Sequence, residues 1–104
     1  MTDKKLLELA AKAAGITWIR DYKDGPMKVM MPFTREWNPL TDDGDALRLA
    51  VKLNLVVDTY SLCVCYHSAD LEIEEHYPQG VIHDMYAATR RAIVRAAAEI
   101  GKSL

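Results

Sequence analysis

Apolar and polar residues alternate along this chain with helical spacing in three places, and with the two-residue period of strands between them. Over residues 2–14, Leu6, Leu7, Ala10, Ala13 and Ala14 form an apolar stripe, with Leu9 beside it. Residues three and four apart share a helix face, so the spacing predicts a first helix. Thr2 suits its N-cap and Gly15 the position just past its end. A second helix is expected from Asp42 or Asp43, with Ala46, Leu47, Ala50 and Leu53 on its buried side and Leu49 at the margin. The longest helix is expected over 82–100. Met85, Tyr86, Thr89, Ile93, Ala96, Ala97 and Ile100 make its stripe, and Gly101 is placed to end it.

Residues 16–22 are rich in β-formers and run into Lys23-Asp24-Gly25-Pro26, then Met27 to Phe33. This predicts a β-hairpin. Residues 35–41 contain Asn38-Pro39 and read as a loop. From Leu55 to His67 the chain is again β-rich, with a break expected at Asp58-Thr59. Leu71-Glu72-Ile73-Glu74 then alternates as a strand with one wet face does, His67 to Asp70 forming the turn between. Pro78-Gln79-Gly80 ends the pattern. The sum is an α+β class: a small, mostly antiparallel sheet packed with three α-helices in one domain, residues 1–104.

Composition supports this reading. With 50% hydrophobic and 27% charged residues in 104, the chain is apolar enough to bury a core of its own. Thirteen Lys+Arg against fifteen Asp+Glu leave a net charge of −2, without the basic excess on which nucleic-acid binders rely. No run approaches the roughly 20 apolar residues of a membrane span, and the first residues lack a signal-peptide core. A cytoplasmic protein is expected. Cys63 and Cys65 lie one residue apart in a strand-like run, a poor geometry for a disulfide, so reduced thiols are expected.

The densest polar cluster is Trp37-Asn38-Pro39-Leu40-Thr41-Asp42-Asp43-Gly44-Asp45. Its three carboxylates could hold a hard cation, but the spacing is not that of an EF-hand loop. Asp45 three residues after Asp42 resembles a capping box, and Trp37 would anchor the loop on the core, so helix capping is the preferred reading. Cys63, Cys65 and His67 would project from one face of a strand. Thiols and imidazole are soft-metal donors, and His76 and His83 could add to them, yet no spacing requires a four-ligand site. Buried small thiols beside a strand-end histidine are the more ordinary reading, and no metal or cofactor is assigned. Arg90, Arg91 and Arg95 form a basic stripe that could meet phosphate or an acidic partner; a solvated face with an Arg95–Glu99 ion pair is the ordinary alternative. No motif of a nucleotide-binding loop, nucleophile elbow or zinc protease is present, and no catalytic residue is assigned. Trp18, Tyr22, Phe33 and Trp37, interleaved with Met27, Met30 and Met31, are either core or a recognition surface, with core preferred.

The run from Trp37 to Leu53, WNPLTDDGDALRLAVKL, resembles the central stretch of the phage alpha–beta–alpha sandwich domain family. Residues 88–101 look like that family's closing helix and residues 6–15 like its opening one; the stretches 16–36 and 56–83 match loosely. The resemblance implies a sheet combined with helices and a phage or prophage origin in a bacterial cytoplasm, and it supplies no activity and no catalytic residues. The functional expectation is a non-enzymatic accessory module that binds a host or phage protein. Candidate binding residues are Trp37, Asn38, Asp42, Asp43, Asp45, Arg90, Arg91 and Arg95. The alternatives are a homo-oligomeric structural protein and, further off, a metal-dependent enzyme or a nucleic-acid binder.

Overall fold

A computed structural model of the chain describes residues 2–16, 27–30, 33–78 and 84–104. The first helix, α1 (Asp3–Ala14), begins and ends where its sequence signals stand. The Lys5 N–H donates to Thr2 Oγ1 at 3.2 Å, satisfying one of the free amides of the first turn. Gly15 takes φ 69°, and the Gly15 and Ile16 amides turn back onto Lys12 and Ala11 carbonyls, a Schellman closure.

Two short strands, β1 (Met27–Met30) and β2 (Phe33–Glu36), pair antiparallel with Met27 opposite Glu36 and Met30 opposite Phe33. Arg35 and Glu36 were expected in a loop. They extend β2 instead, because the ladder with Met27 and Lys28 satisfies their backbone groups. The other half of the expected hairpin, 17–22, lies outside the described residues, as do Trp18, Tyr22, Met31 and His83.

Helix α2 (Asp43–Lys52) starts on Asp42 and closes at Asn54, whose φ of 56° lets the Leu55 amide reach the Ala50 carbonyl at 2.9 Å. Its buried side is Ala46, Leu49 and Ala50, whereas Leu47, expected inside, is 64% exposed.

The sheet proper is β3 (Val56–Asp58), β4 (Cys63–His67) and β5 (Glu72–His76), antiparallel in chain order. The expected break at Asp58 is a turn in which Asp58 Oδ1 accepts the Tyr60 and Ser61 amides. The Ser61 amide foremost holds that carboxyl below its usual range. Leu62 closes the turn at φ 57°. Val64 and Ile73 are buried on the inner face, and strand alternation turns Cys63, Cys65 and His67 to the outer one.

Helix α3 (Met85–Lys102) lies against β4 and β5 and carries α1 and α2 on its flanks. Its buried side is Ala88, Ala92, Ile93, Val94, Ala96, Ala97, Ala98 and Ile100. Met85 and Tyr86, expected in the stripe, are 38% and 73% exposed. Gly101 does not end the helix, which runs to Lys102 and is capped by Ser103. A Cβ at Gly101 would stand 2.1 Å from the Leu9 carbonyl oxygen, so the residue is there to let α1 and α3 touch backbone to side. The alanines at 10, 11 and 14 of α1 and 88, 92, 96 and 97 of α3 are all buried, as a close helix pair requires. The result is the α+β class expected, and no helix among the described residues is long and apolar enough to cross a membrane.

Candidate functional site

The loop before α2 is tied down from within. Trp37 is 2% exposed and sits in the core with Ala46 and Leu49. The Asn38 carbonyl accepts the Thr41 and Asp42 amides, and its Oδ1 accepts the Leu40 amide at 3.0 Å. Asp42 is the N-cap, receiving the Asp45 N–H at 2.8 Å. The reciprocal half of a capping box is replaced: Asp45, 2% exposed, accepts the Asn38 N–H at 3.0 Å and the Arg48 guanidinium at 2.8 Å. Asp43 faces Arg90 at 2.6 Å. The three carboxylates are thus engaged by amides and guanidinium groups that fix the loop and the helix start, the arrangement that capping calls for.

The three arginines of α3 each reach a different element. Arg90 donates through Nε to the Leu40 carbonyl at 2.8 Å besides its pair with Asp43. Arg91 pairs with Asp3 of α1 at 2.7 Å. Arg95 pairs with the half-buried Glu75 of β5 at 2.9 Å, while Glu99, the partner expected for it, takes Lys102 instead. The long-range pairing wins because α3 lies across β5, which brings Glu75 within reach.

The feature that the sequence pattern did not single out is an apolar cleft of about 400 Å³ between α2 and α3. Ala46 and Ala50, one turn apart on α2, form its floor with Ile93 of α3 and Val57 of β3. Leu47, Met85 and Tyr86 stand at its walls, Leu47 and Tyr86 largely exposed and Met85 more than a third so. Val51, four residues beyond Leu47, is 67% exposed and prolongs the apolar side of α2. The polar groups at the rim, Asp43 and Arg90, are satisfied by each other. The signal available in the sequence was the excess width of the apolar faces of α2 and α3, wider than one packing contact can cover.

On the outer face of the sheet, Cys63 and Cys65 are free thiols with their sulfurs 3.1 Å apart. Contact with the Cys65 thiol, burial, and the neighbouring charges of Glu74 and Asp58 push the Cys63 thiol up to about 11. His67 is exposed at the far end of β4 and meets Glu72 at 3.1 Å. The expected trio of Cys63, Cys65 and His67 is therefore joined by side chains of β5 that spacing along the chain does not reveal. No family model, curated protein or solved structure matches this chain.

Proposed function

We propose that this chain is a non-enzymatic protein-binding module whose cleft between α2 and α3 receives the apolar edge of an amphipathic helix from a partner protein. The observation that carries this reading is the apolar cleft itself, walled by three large side chains that the fold leaves in solvent. Exposing Leu47, Val51 and Tyr86 together costs solubility without helping the core, which is the usual mark of an interaction surface. Methionine and tyrosine at the walls suit a protein interface, the first by adapting its shape and the second by giving a rigid apolar face with a polar tip. A floor of two alanines one turn apart leaves room for side chains three and four apart on an incoming helix. A small-molecule site would need several unpaired polar groups converging inside the cleft, and here the charged groups at the rim, Asp43 and Arg90, pair with each other while Thr89 donates to the Met85 carbonyl. The resemblance of residues 37–53 to the phage sandwich family supports a phage or prophage origin, and with it a host or phage protein in the bacterial cytoplasm as the partner.

Selection from a displayed library of helical peptides tests this. The expected winners carry large apolar residues at i and i+3 or i+4, and bind the wild type at least about tenfold more tightly than Leu47→Arg, the loss of one apolar anchor. Peptides that bind Leu47→Arg equally well would overturn the reading. A concentration-dependent dimer in sedimentation, abolished by the same substitution, would assign the cleft to a second copy instead.

A further inference from the structure

Pairing of β4 with β5 sets Cys63 directly opposite His76 and Cys65 directly opposite Glu74. Cross-strand partners project to the same side of a sheet, so two thiols, an imidazole and a carboxylate share one patch of the outer face. The Cys63 sulfur, a Glu74 carboxylate oxygen and a His76 ring nitrogen lie within 4.8 Å of one another. His76 Nε2 is 3.1 Å from Glu74 Oε1, and the Cys65 sulfur is 3.1 Å from that of Cys63. Exposed imidazole–carboxylate pairs are common on their own. What distinguishes this one is the buried thiol facing it across the ladder.

We propose that this face binds a borderline-soft divalent cation of the zinc type through Cys63, Glu74 and His76, with the fourth position left to solvent. Sulfur, nitrogen and oxygen donors are the set zinc takes, at about 2.0–2.3 Å from the metal in a tetrahedron. Donors at those radii stand about 3.3–3.8 Å from one another, so the His76–Glu74 pair at 3.1 Å opens slightly and any separation near the 4.8 Å limit closes by about 1 Å to grip an ion. His76 and Glu74 are mostly exposed and have the rotamer freedom to do this, while the backbone register holds all three in place. Binding replaces the Cys63 S–H bond by a metal–sulfur bond and releases that proton to solvent. One side of the patch faces solvent, which makes the ion exchangeable.

The test is titration of the reduced full chain with Zn²⁺ against a chromophoric chelator, with Co²⁺ as a spectroscopic substitute. One equivalent is expected, with a thiolate-to-cobalt charge-transfer band in the near ultraviolet. His76→Ala and Glu74→Gln replace exposed groups and keep the fold; each is expected to weaken Zn²⁺ at least about tenfold, the loss of one donor. Cys63→Ala is expected to abolish the cobalt band. His67→Ala, at the other end of β4, and Leu47→Arg, in the cleft, are expected to leave uptake unchanged, which separates this site from the proposed docking groove. If His76→Ala binds zinc as tightly as the wild type, or cobalt gives no thiolate band, the proposal is wrong. Because His76 is at the surface, its substitution decides the matter even if Cys63→Ala fails to fold.

Discussion

Asp45 is the one charged side chain among the described residues that the core fully encloses, and its neighbours explain why it is tolerated there. A buried carboxylate is costly unless several donors meet it, and here the Asn38 amide and the Arg48 guanidinium both do. Removing it strands the Asn38 amide and releases the loop from α2. Asp45→Ala is expected to cost about 2–4 kcal/mol, read from the midpoint of urea unfolding. Asp43→Ala, at an exposed pair, should cost about 1 kcal/mol or less. Cys63 makes a second prediction at this scale. In the unfolded chain its thiol ionises near the ordinary 9.0, but in the fold it holds its proton to about 11. The folded state binds more protons between those values, so its contribution to stability is complete below about pH 9 and lost progressively towards pH 11. Unfolding free energies measured across that window should fall with pH in the wild type and fall less in Cys63→Ala.

At the scale of elements, two glycines separate two reasons for having no side chain. Gly15 is in the left-handed region with open space around it, so Gly15→Ala is expected to cost about 1 kcal/mol through backbone conformation alone. Gly101 has ordinary helical geometry, where alanine would normally stabilise by about 1 kcal/mol. Its Cβ would meet the backbone of Leu9, so Gly101→Ala is expected to destabilise by about 2 kcal/mol or more by forcing α1 and α3 apart. Thermal unfolding of both variants checks the contrast. The two glycines also show which roles a sequence displays. Thr2, Gly15, Asp42 and the break at Asp58 act within a few residues of themselves, and their roles were legible. The role of Gly101 depends on a residue 92 positions away, so it left no local trace. The buried face of α3 was misjudged at Met85 and Tyr86 because alanines carry most of it, and a hydrophobic pattern weighs alanine lightly against a tyrosine.

Among the described residues, the polar groups singled out from the sequence turn inward or toward each other, while the exposed Leu47, Met85 and Tyr86 meet at one cleft. Asp42, Asp43 and Asp45 fix a helix start, and Arg90, Arg91 and Arg95 clamp α3 to α2, α1 and β5. The wide apolar faces of α2 and α3 hinted at uncovered surface, but the place of the cleft depends on the angle at which α2 meets α3, which no spacing along either helix states. Leu47, at 64% exposure, contributes little to the core, so Leu47→Arg should shift unfolding by no more than about 0.5 kcal/mol. Its effect is expected on binding alone.

The most direct measurement is photocrosslinking in the cell that naturally makes the protein, with a photoreactive amino acid placed in turn at Leu47, at Tyr86 and, as a control, at the exposed residue Asp70. Docking of a partner helix in the cleft predicts one heavier product, containing a single other protein, from positions 47 and 86 and none from 70. Equal products from all three positions, a product made only of two copies of this chain, or none from the cleft would contradict it.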